Sequence, residues 1–246
     1  MKSVKLLIVV AGLVLVAGAF WILRFPQIIS LEDAGATLTF DIREYSGRTV
    51  PFKVGPRNAY WTPLRRIARP LRVCVIASED DRFFSHYGFD FIELGRSVKR
   101  NVEAGGYVRG GSTITMQLAR TLFLSSEKTM RRKIIEALLT AQFELTLEKP
   151  RILELYLNVV DWGPGIRGIG RAARVYYGKP ASALTWGEAA YLAVMLPNPY
   201  RYNMSVRPRA LRDRQHRLVG RLIREGRIPR ARRADALAAR APQALR

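Results

Sequence analysis

Residues 76–90 read IASEDDRFFSHYGFD, and the rest of the chain is organised around them. The stretch holds four acids and one of the protein's two histidines. Glu79 follows an apolar run, residues 73–77, and partial desolvation at the end of such a run makes a carboxylate a better base. The stretch therefore predicts either a catalytic carboxylate or a solvated helix end, and these residues alone do not decide between the two.

The composition indicates a folded, strongly basic protein. The chain has 246 residues, of which 48% are hydrophobic and 25% charged, enough for one domain or two lobes. Lys and Arg number 41 against 20 Asp and Glu, a net charge of +21 that implies an anionic partner such as nucleic acid, acidic lipid or a phosphorylated substrate. A single cysteine, Cys74, excludes a disulfide framework within one chain and is typical of a small core residue.

The N-terminus predicts a membrane anchor. Leu6 to Leu23 carries no charge over 18 residues, which is long enough to span a bilayer as a helix. Lys2 and Lys5 before it favour a cytoplasmic N-terminus. The alternative is a cleaved signal peptide, because residues 17–19 resemble a small-residue cleavage site. An anchor separates the rest of the chain from the genome, so we expect no nucleic-acid partner.

Apolar spacing and cap residues predict a mostly α-helical protein after a possible strand near residues 36–42. Asp90 is expected to cap a helix that carries an apolar stripe, and Ser112 is expected to cap the next one. Glycine pairs on either side of residues 107–109 predict either a mobile flap or an ordinary connection. The remaining helices are expected at 70–80, 130–148, 150–158, 171–177 and 185–196.

A second acidic residue, Glu136, has two cationic residues at helical spacing before it. Arg132 and Lys133 precede Glu136 by four and three residues, so the three side chains share a helix face, either as a surface ion pair or as part of a site. Glycosyl transfer needs a carboxylate that removes a proton from the attacking group. When the leaving group is a phosphate, cations that stabilise the departing charge matter more than a second acid.

Five stretches resemble, in order, the five signatures of glycosyltransferase family 51, the peptidoglycan glycosyltransferases: residues 79–90, 110–120, 132–136, 149–163 and 172–179. The resemblance implies a lysozyme-like, two-lobed glycosyltransferase domain with a smaller membrane-dipping lobe. It also implies that lipid II and the growing glycan chain are the substrates. They would be joined through β-1,4 bonds by an inverting displacement that releases undecaprenyl pyrophosphate.

The resemblance also assigns roles to residues. Glu79 would be the general base, and Glu136 with Arg132, Lys133 and Arg120 would handle the pyrophosphate, with room for a divalent cation, Mg or Mn. Thr113 and Gln117 would hold substrate. The other positions that match the family's site are Asp80, Phe83, His86 and Asp90, which would shape it, and Asn158 and Lys179, which would contact sugar or phosphate.

The chain departs from the family pattern at three positions. Met116 stands where glutamine is usual, Arg120 where lysine is usual, and Gly170 where an acidic or amide residue is common. Arg120 keeps the charge but changes the donor geometry. None of the three departures removes an expected catalytic group.

The expected organisation has four segments: an N-terminus and anchor, 1–24, a juxtamembrane segment, 25–60, the glycosyltransferase domain, 61–205, and a basic helical tail, 206–246. Because only about forty residues follow the motif region, we expect a monofunctional family member without the transpeptidase domain of class A penicillin-binding proteins. The tail, with 13 arginines and three acids, is expected to be either a solvated basic helix or a membrane-surface patch.

The expected location is the bacterial inner membrane, with a single span and the catalytic domain in the periplasm. Cell-division or elongation proteins are possible partners. Two other functions stay open: a lysozyme-like hydrolase of finished peptidoglycan, which would leave the cations around the second acid unexplained, and a non-catalytic membrane-bound scaffold of a cell-wall complex.

Overall fold

The computed structural model describes residues 25–44, 46–106, 110–124, 127, 129–202, 205–239 and 241–242. The described chain is mostly α-helical, as predicted. The predicted anchor, Leu6 to Leu23, and the centre of the predicted flap, residues 107–109, lie outside the described residues. Among the helices that are described, none combines the length and the apolar character needed to cross a membrane.

The described chain begins with a short helix and a β-hairpin. Helix α1 is Pro26–Ser30, and strands β1, Leu38–Arg43, and β2, Thr49–Val54, pair antiparallel from Leu38 opposite Val54 to Arg43 opposite Thr49. Gly47 adopts a φ of 86° in the connecting turn, a conformation that glycine reaches without steric cost. The hairpin agrees with the strand predicted near residues 36–42.

The helices that follow match the predicted ones to within about two residues at most ends. A second small hairpin, β3 and β4, lies in the segment between the helices expected at 150–158 and 171–177. The elements are α2, Arg69–Glu79; α3, Phe91–Glu103; α4, Ile114–Phe123; α5, Met130–Thr146; α6, Lys149–Val159; β3, Asp161–Gly163; β4, Ile166–Arg167; α7, Ile169–Tyr177; α8, Trp186–Met195; α9, Pro208–Arg224; and α10, Arg233–Leu237.

Helix α8 lies at the centre of the core. Every residue from Gly187 to Met195 is buried, and the helix packs against α2, α9 and α10. Helix α4 forms a second packing centre with α5, α6 and β1. The apolar run 73–76 is helical within α2, and Pro70 occupies the first turn of that helix, where the missing N–H costs nothing.

Cap residues explain where several helices begin. The side chain of Asp90 accepts a hydrogen bond from the Glu93 amide, and Thr185 and Glu188 form a capping box at the start of α8. The expectation for Ser112 was wrong by one residue, because the Thr113 hydroxyl accepts from the Met116 amide and is the N-cap of α4.

The apolar stripe of α3 does not face the core. Phe91 and Val102 are 74% and 75% exposed, and Leu94 and Val98 are also exposed. Only Ser97 is buried on this helix. Helical spacing therefore identified the stripe, but spacing alone could not tell a core-facing stripe from an outward-facing one.

Candidate active site

One large cleft, with a volume of about 880 Å³, opens beside the end of α2. Its walls come from α2 and the loop after it, α3, α4 and the segment before it, the end of α8 and the loop that follows, and α9. Seven arginines and five acids line it, so the net charge of its described wall is positive. A cleft with this balance attracts an anionic substrate while still offering carboxylates for proton transfer.

Glu79 is the last residue of α2 and faces this cleft. The Gln117 Nε2 group, on α4, donates a hydrogen bond to Glu79 Oε2 over 3.0 Å. The Tyr156 hydroxyl, on α6, donates in turn to Gln117 Oε1 over 3.1 Å. Burial, and after it the charge of Glu79, raises the pKa of Tyr156 well above its usual range, so this hydroxyl stays protonated.

The direction of this chain of hydrogen bonds follows from chemistry. An ionised carboxylate can only accept, so the Gln117 amide must present its nitrogen to Glu79 and its oxygen to Tyr156. Tyr156 is fully buried and its hydroxyl keeps its proton, so it can serve as the donor that this orientation needs. Three helices thus hold the Glu79 carboxylate in the cleft.

Asp80 joins the motif around Glu79 to the start of α4. Its two carboxylate oxygens bind the His86 ring at 2.9 Å and the Ile114 amide at 3.0 Å. Asp80, His86 and Asp90 are all buried, and their ligand atoms lie within 4.8 Å of one another, so these three residues could hold a metal ion. The bond between Asp80 and His86, and the bonds of Asp80 and Asp90 to backbone amides, also give these residues a structural role without a metal ion.

Phe83 and Thr113 make contacts that hold the loop after α2 in place. Phe83 is fully buried, and the Lys149 ammonium lies 4.5 Å from its ring centre. The Thr113 hydroxyl donates to the Gly88 carbonyl over 2.7 Å, and the residue lines the cleft. The loop after α2 is therefore tied to Thr113 at the start of α4 and to Lys149 at the start of α6, which fixes the backbone that follows Glu79.

The cluster around the second acid is compact. The Glu136 carboxylate is fully buried, with Arg132 bonded to one oxygen at 2.5 Å and Lys133 bonded to the other. None of the described residues that line the cleft comes from α5, so this cluster forms its own group. Arg120 does line the cleft, on the same face of α4 as Gln117.

A sequence model of the transglycosylase family matches residues 48–223, well over half of the chain. The chain belongs to the transglycosylase family. This confirms the family expected from the five signatures, and with it peptidoglycan glycosyl transfer in cell-wall synthesis as the class of activity.

Curated relatives are closely similar to this transglycosylase. The biosynthetic peptidoglycan transglycosylase of Azoarcus sp. (strain BH72) is 49% identical over 162 residues, which cover 66% of this chain and 70% of that protein. The protein of the same name from Aeromonas hydrophila is 48% identical over 154 residues, which cover 63% of this chain and 65% of that protein.

A crystal structure of penicillin-binding protein 1A from Haemophilus influenzae is also similar, at 23% identity. The matched region covers 54% of this chain and 17% of that chain, with a TM-score of 0.35, which is too low to support an argument about the fold.

Two expected substrate contacts of this transglycosylase are occupied by internal partners. The Asn158 side chain bonds both the amide and the carbonyl of Thr62, each at 2.9 Å, and ties α6 to the segment before α2. The Lys179 ammonium lies 2.6 Å from Glu188. Neither residue lines the cleft.

The surroundings of Met116 and Gly170 in the structure suit two of the departures from the family pattern. Met116 is buried, where an apolar side chain needs no hydrogen-bond partner. A Cβ on Gly170 would lie 2.1 Å from the Tyr60 carbonyl oxygen and 2.7 Å from Thr62 Oγ1. An acidic or amide side chain at position 170 would therefore displace the segment that leads into α2.

The sequence prediction missed the contribution of α9. Arg214, Arg217 and Arg221 line the cleft, at spacings of three and four residues on one helix face. Leu211, Leu218 and Leu222 on this helix are buried, so it packs on the domain and brings the arginines to the cleft. The spacing of these arginines was visible in the sequence, but only the packing shows where they point.

Proposed function

We propose that the cleft polymerises lipid II into β-1,4-linked glycan strands by an inverting displacement, with Glu79 as the general base. The observation that carries the proposal is the Glu79 carboxylate, held in a positively charged cleft by Gln117, which Tyr156 orients in turn. When hydrogen-bonded neighbours hold a general base in a fixed position, the site needs little reorganisation as the base takes a proton.

In the proposed reaction, Glu79 removes the proton from the 4-hydroxyl of the acceptor sugar. The oxygen attacks the anomeric carbon of the growing chain, which is α-linked to undecaprenyl pyrophosphate. A single displacement from the opposite face gives the β-linked product, and the pyrophosphate leaves with the bonding electron pair. Glu79 is left protonated and returns its proton to solvent.

The departing pyrophosphate needs cations. Arg120 lines the cleft one helical turn beyond Gln117, so it can reach a leaving group beside the base. The resemblance to family 51 assigns Arg132 and Lys133 to the same leaving group, although neither lines the described cleft, and Glu136 holds both of them in place. One carboxylate paired with two cations leaves that cluster with a positive charge.

A divalent cation at the pyrophosphate stays a proposal. Each oxygen of Glu136 already bonds a cationic side chain, so that carboxylate does not fit a metal ion, and no step above depends on one. Polymerisation measured with EDTA and then with added Mg²⁺ or Mn²⁺ tests the requirement.

The proposal also covers the chain's setting. The catalytic domain would have the two-lobed, lysozyme-like form of its family and lie on the periplasmic face of the inner membrane, anchored by residues 6–23. The exposed apolar stripe of α3, which includes Phe91 and Val102, supports contact of the smaller lobe with lipid. Proteins of cell division or elongation are proposed partners.

The decisive experiment supplies the full chain with labelled lipid II. We expect glycan strands that lysozyme can digest, together with released undecaprenyl pyrophosphate. Release of fragments from finished peptidoglycan, with no turnover of lipid II, would instead identify a hydrolase. A chain that turns over neither lipid II nor finished peptidoglycan, but complements a deletion as well as the wild type does, would be a scaffold.

A further inference from the structure

A second concave surface lies outside the catalytic cleft, where the chain turns back after α9. It is a cavity of about 300 Å³, and three of its four lining residues are arginines: Ile223, Arg224, Arg230 and Arg233. None of these four residues lines the larger cleft. We call this surface the arginine cavity.

The turn after α9 brings the arginines together. Gly226 adopts a φ of 71°, and the Ile228 amide bonds back to the Leu222 carbonyl over 3.1 Å. This is a glycine-terminated helix end, in which the chain reverses direction. Ile228 is fully buried and anchors the reversed segment, so Arg230 and Arg233 return beside Arg224 at the end of α9.

The returning segment is firmly packed. The Gln215 side chain, which is fully buried on α9, donates to the Ala236 carbonyl over 2.8 Å. A Cβ on Gly187 of α8 would lie 2.3 Å from that carbonyl oxygen, so only glycine lets α10 approach this closely. The backbone that carries Arg233 is therefore held by two other helices.

Among the described residues, no salt bridge supplies a negative charge to the three arginines of the arginine cavity. Arg221 and Arg227 both bind Asp81, and Arg232 binds Asp235. In contrast, Arg224, Arg230 and Arg233 form no salt bridge with any residue that the structure describes. The chain's own acids near the turn are bound by the arginines outside the cavity.

We propose that the arginine cavity binds a phosphate-type oxyanion, either the headgroup of an anionic phospholipid or a free phosphate. Three like charges around one cavity repel one another, and an anion removes that repulsion. Guanidinium groups match the oxygens of a phosphate through paired hydrogen bonds. The cavity is separate from the catalytic cleft, so this binding does not depend on the proposed polymerisation.

Residue-resolved chemical protection tests the site in the full chain. Phenylglyoxal modifies accessible arginines, and mass spectrometry of the peptides gives the extent at each position. We expect inorganic phosphate to protect Arg224, Arg230 and Arg233 and to leave a dispersed exposed set unprotected: Arg57, Arg174 and Arg209. Equal protection of both sets, or protection of neither by any probe, would overturn the proposal.

A lipid arm distinguishes the two sources of the phosphate group. Short-chain phosphatidylglycerol is compared with short-chain phosphatidylcholine and with inorganic phosphate. Protection by phosphatidylglycerol at lower concentrations than inorganic phosphate assigns the site to a lipid headgroup. Equal or better protection by inorganic phosphate assigns it to a free anion. Either result supports the oxyanion site.

Two triple variants that remove the same net charge test whether binding depends on the position of the arginines or only on the net charge of the protein. Replacing Arg224, Arg230 and Arg233 with Gln should weaken binding of the protecting probe, measured by titration calorimetry, by about tenfold or more. Replacing the dispersed set, Arg57, Arg174 and Arg209, removes the same net charge and should leave binding within about twofold, since distant exposed charges are screened. An equal loss in both triple variants would show that net charge alone accounts for binding.

Discussion

Gln117 Nε2 lies 3.0 Å from Glu79 Oε2 and donates a hydrogen bond to it, so the proposed base is held by a side chain from another helix. The Gln117 amide is held in turn by the buried hydroxyl of Tyr156. Tyr156 does not line the cleft, and its hydroxyl is joined to the proposed base through the hydrogen bond to Gln117.

Replacing Tyr156 with Phe should lower kcat for lipid II polymerisation by about fivefold, the value of one ordinary hydrogen bond of roughly 1 kcal/mol. Without the hydroxyl, the Gln117 amide can turn its oxygen toward Glu79. The acid side of the pH–rate profile should also move to higher pH, because the ionised base loses a donor. The same substitution in a Gln117→Leu background should have no further effect on kcat.

Tyr176 supplies the control for that prediction. It is also buried, and its hydroxyl donates to the Trp162 carbonyl over 2.8 Å. Tyr176→Phe should reduce the thermal stability without changing the pH–rate profile. Additive losses in the Tyr156 and Gln117 double variant would contradict the proposed coupling.

Glu136→Gln should lower the free energy of unfolding by about 3 kcal/mol, because it leaves Arg132 and Lys133 without their carboxylate. Urea unfolding measures the change, and polymerisation should fall with it as the two cations lose their fixed positions. Asp235→Asn removes an exposed partner of Arg232 and should change stability little. Similar effects of both substitutions would show that the buried cluster does not stabilise the fold.

Gly170→Ala should destabilise the protein by about 2 kcal/mol, since its Cβ would overlap the Tyr60 carbonyl. The control is Gly95→Ala on α3, where nothing lies within 4 Å of the added Cβ and helix propensity should add roughly 1 kcal/mol of stability. Denaturant unfolding compares the two. A neutral Gly170→Ala variant would mean that the segment around Tyr60 can move aside.

The ion pair of Lys179 and Glu188 should give a stability term that depends on pH. Burial would raise the pKa of Glu188, but hydrogen bonds from Lys179 and Thr185 outweigh it, so the pKa is lowered from 4.5. A carboxyl group whose pKa is lowered in the folded state stabilises the protein at pH values above its unfolded-state pKa. This stabilisation is lost as the pH falls through the folded-state pKa. Lys179→Met should therefore reduce Tm at pH 7, and the difference should shrink as the pH falls below 4.5, the ordinary pKa of the group.

Calorimetry of both proteins across this pH range measures the effect. If Lys179 instead contacts only substrate, Tm should be unchanged at pH 7 and the Michaelis constant should rise. A difference in Tm that persists unchanged into strong acid would contradict the assigned ion pair.

Local rules predicted much of the fold. Pro70, Asp90 and Gly178 mark helix ends because proline, aspartate and glycine each relieve a specific backbone problem there. Spacing could not give the direction of a helix face, which depends on partners that are distant in sequence. The stripe of α3 and the arginines of α9 are the two clearest cases.

The sequence likewise predicted only part of the candidate site. Motif resemblance singled out Glu79 and Gln117, and the structure brings these two side chains into contact. The contact between Asn158 and Thr62 spans 96 residues, so sequence spacing could not indicate it. The role of Tyr156 also depends on a distant contact, because its partner lies 39 residues away.

The most direct test of the account is polymerisation of labelled lipid II by the Glu79→Gln variant. The adjacent control is Asp81→Asn, since Asp81 lines the cleft but pairs with Arg221 and Arg227. The account predicts that Glu79→Gln keeps its folded structure and Tm while its rate falls by about 100-fold or more, the usual contribution of a general base. Asp81→Asn should keep most of its activity. A Glu79→Gln variant that polymerises lipid II at the wild-type rate would contradict the account.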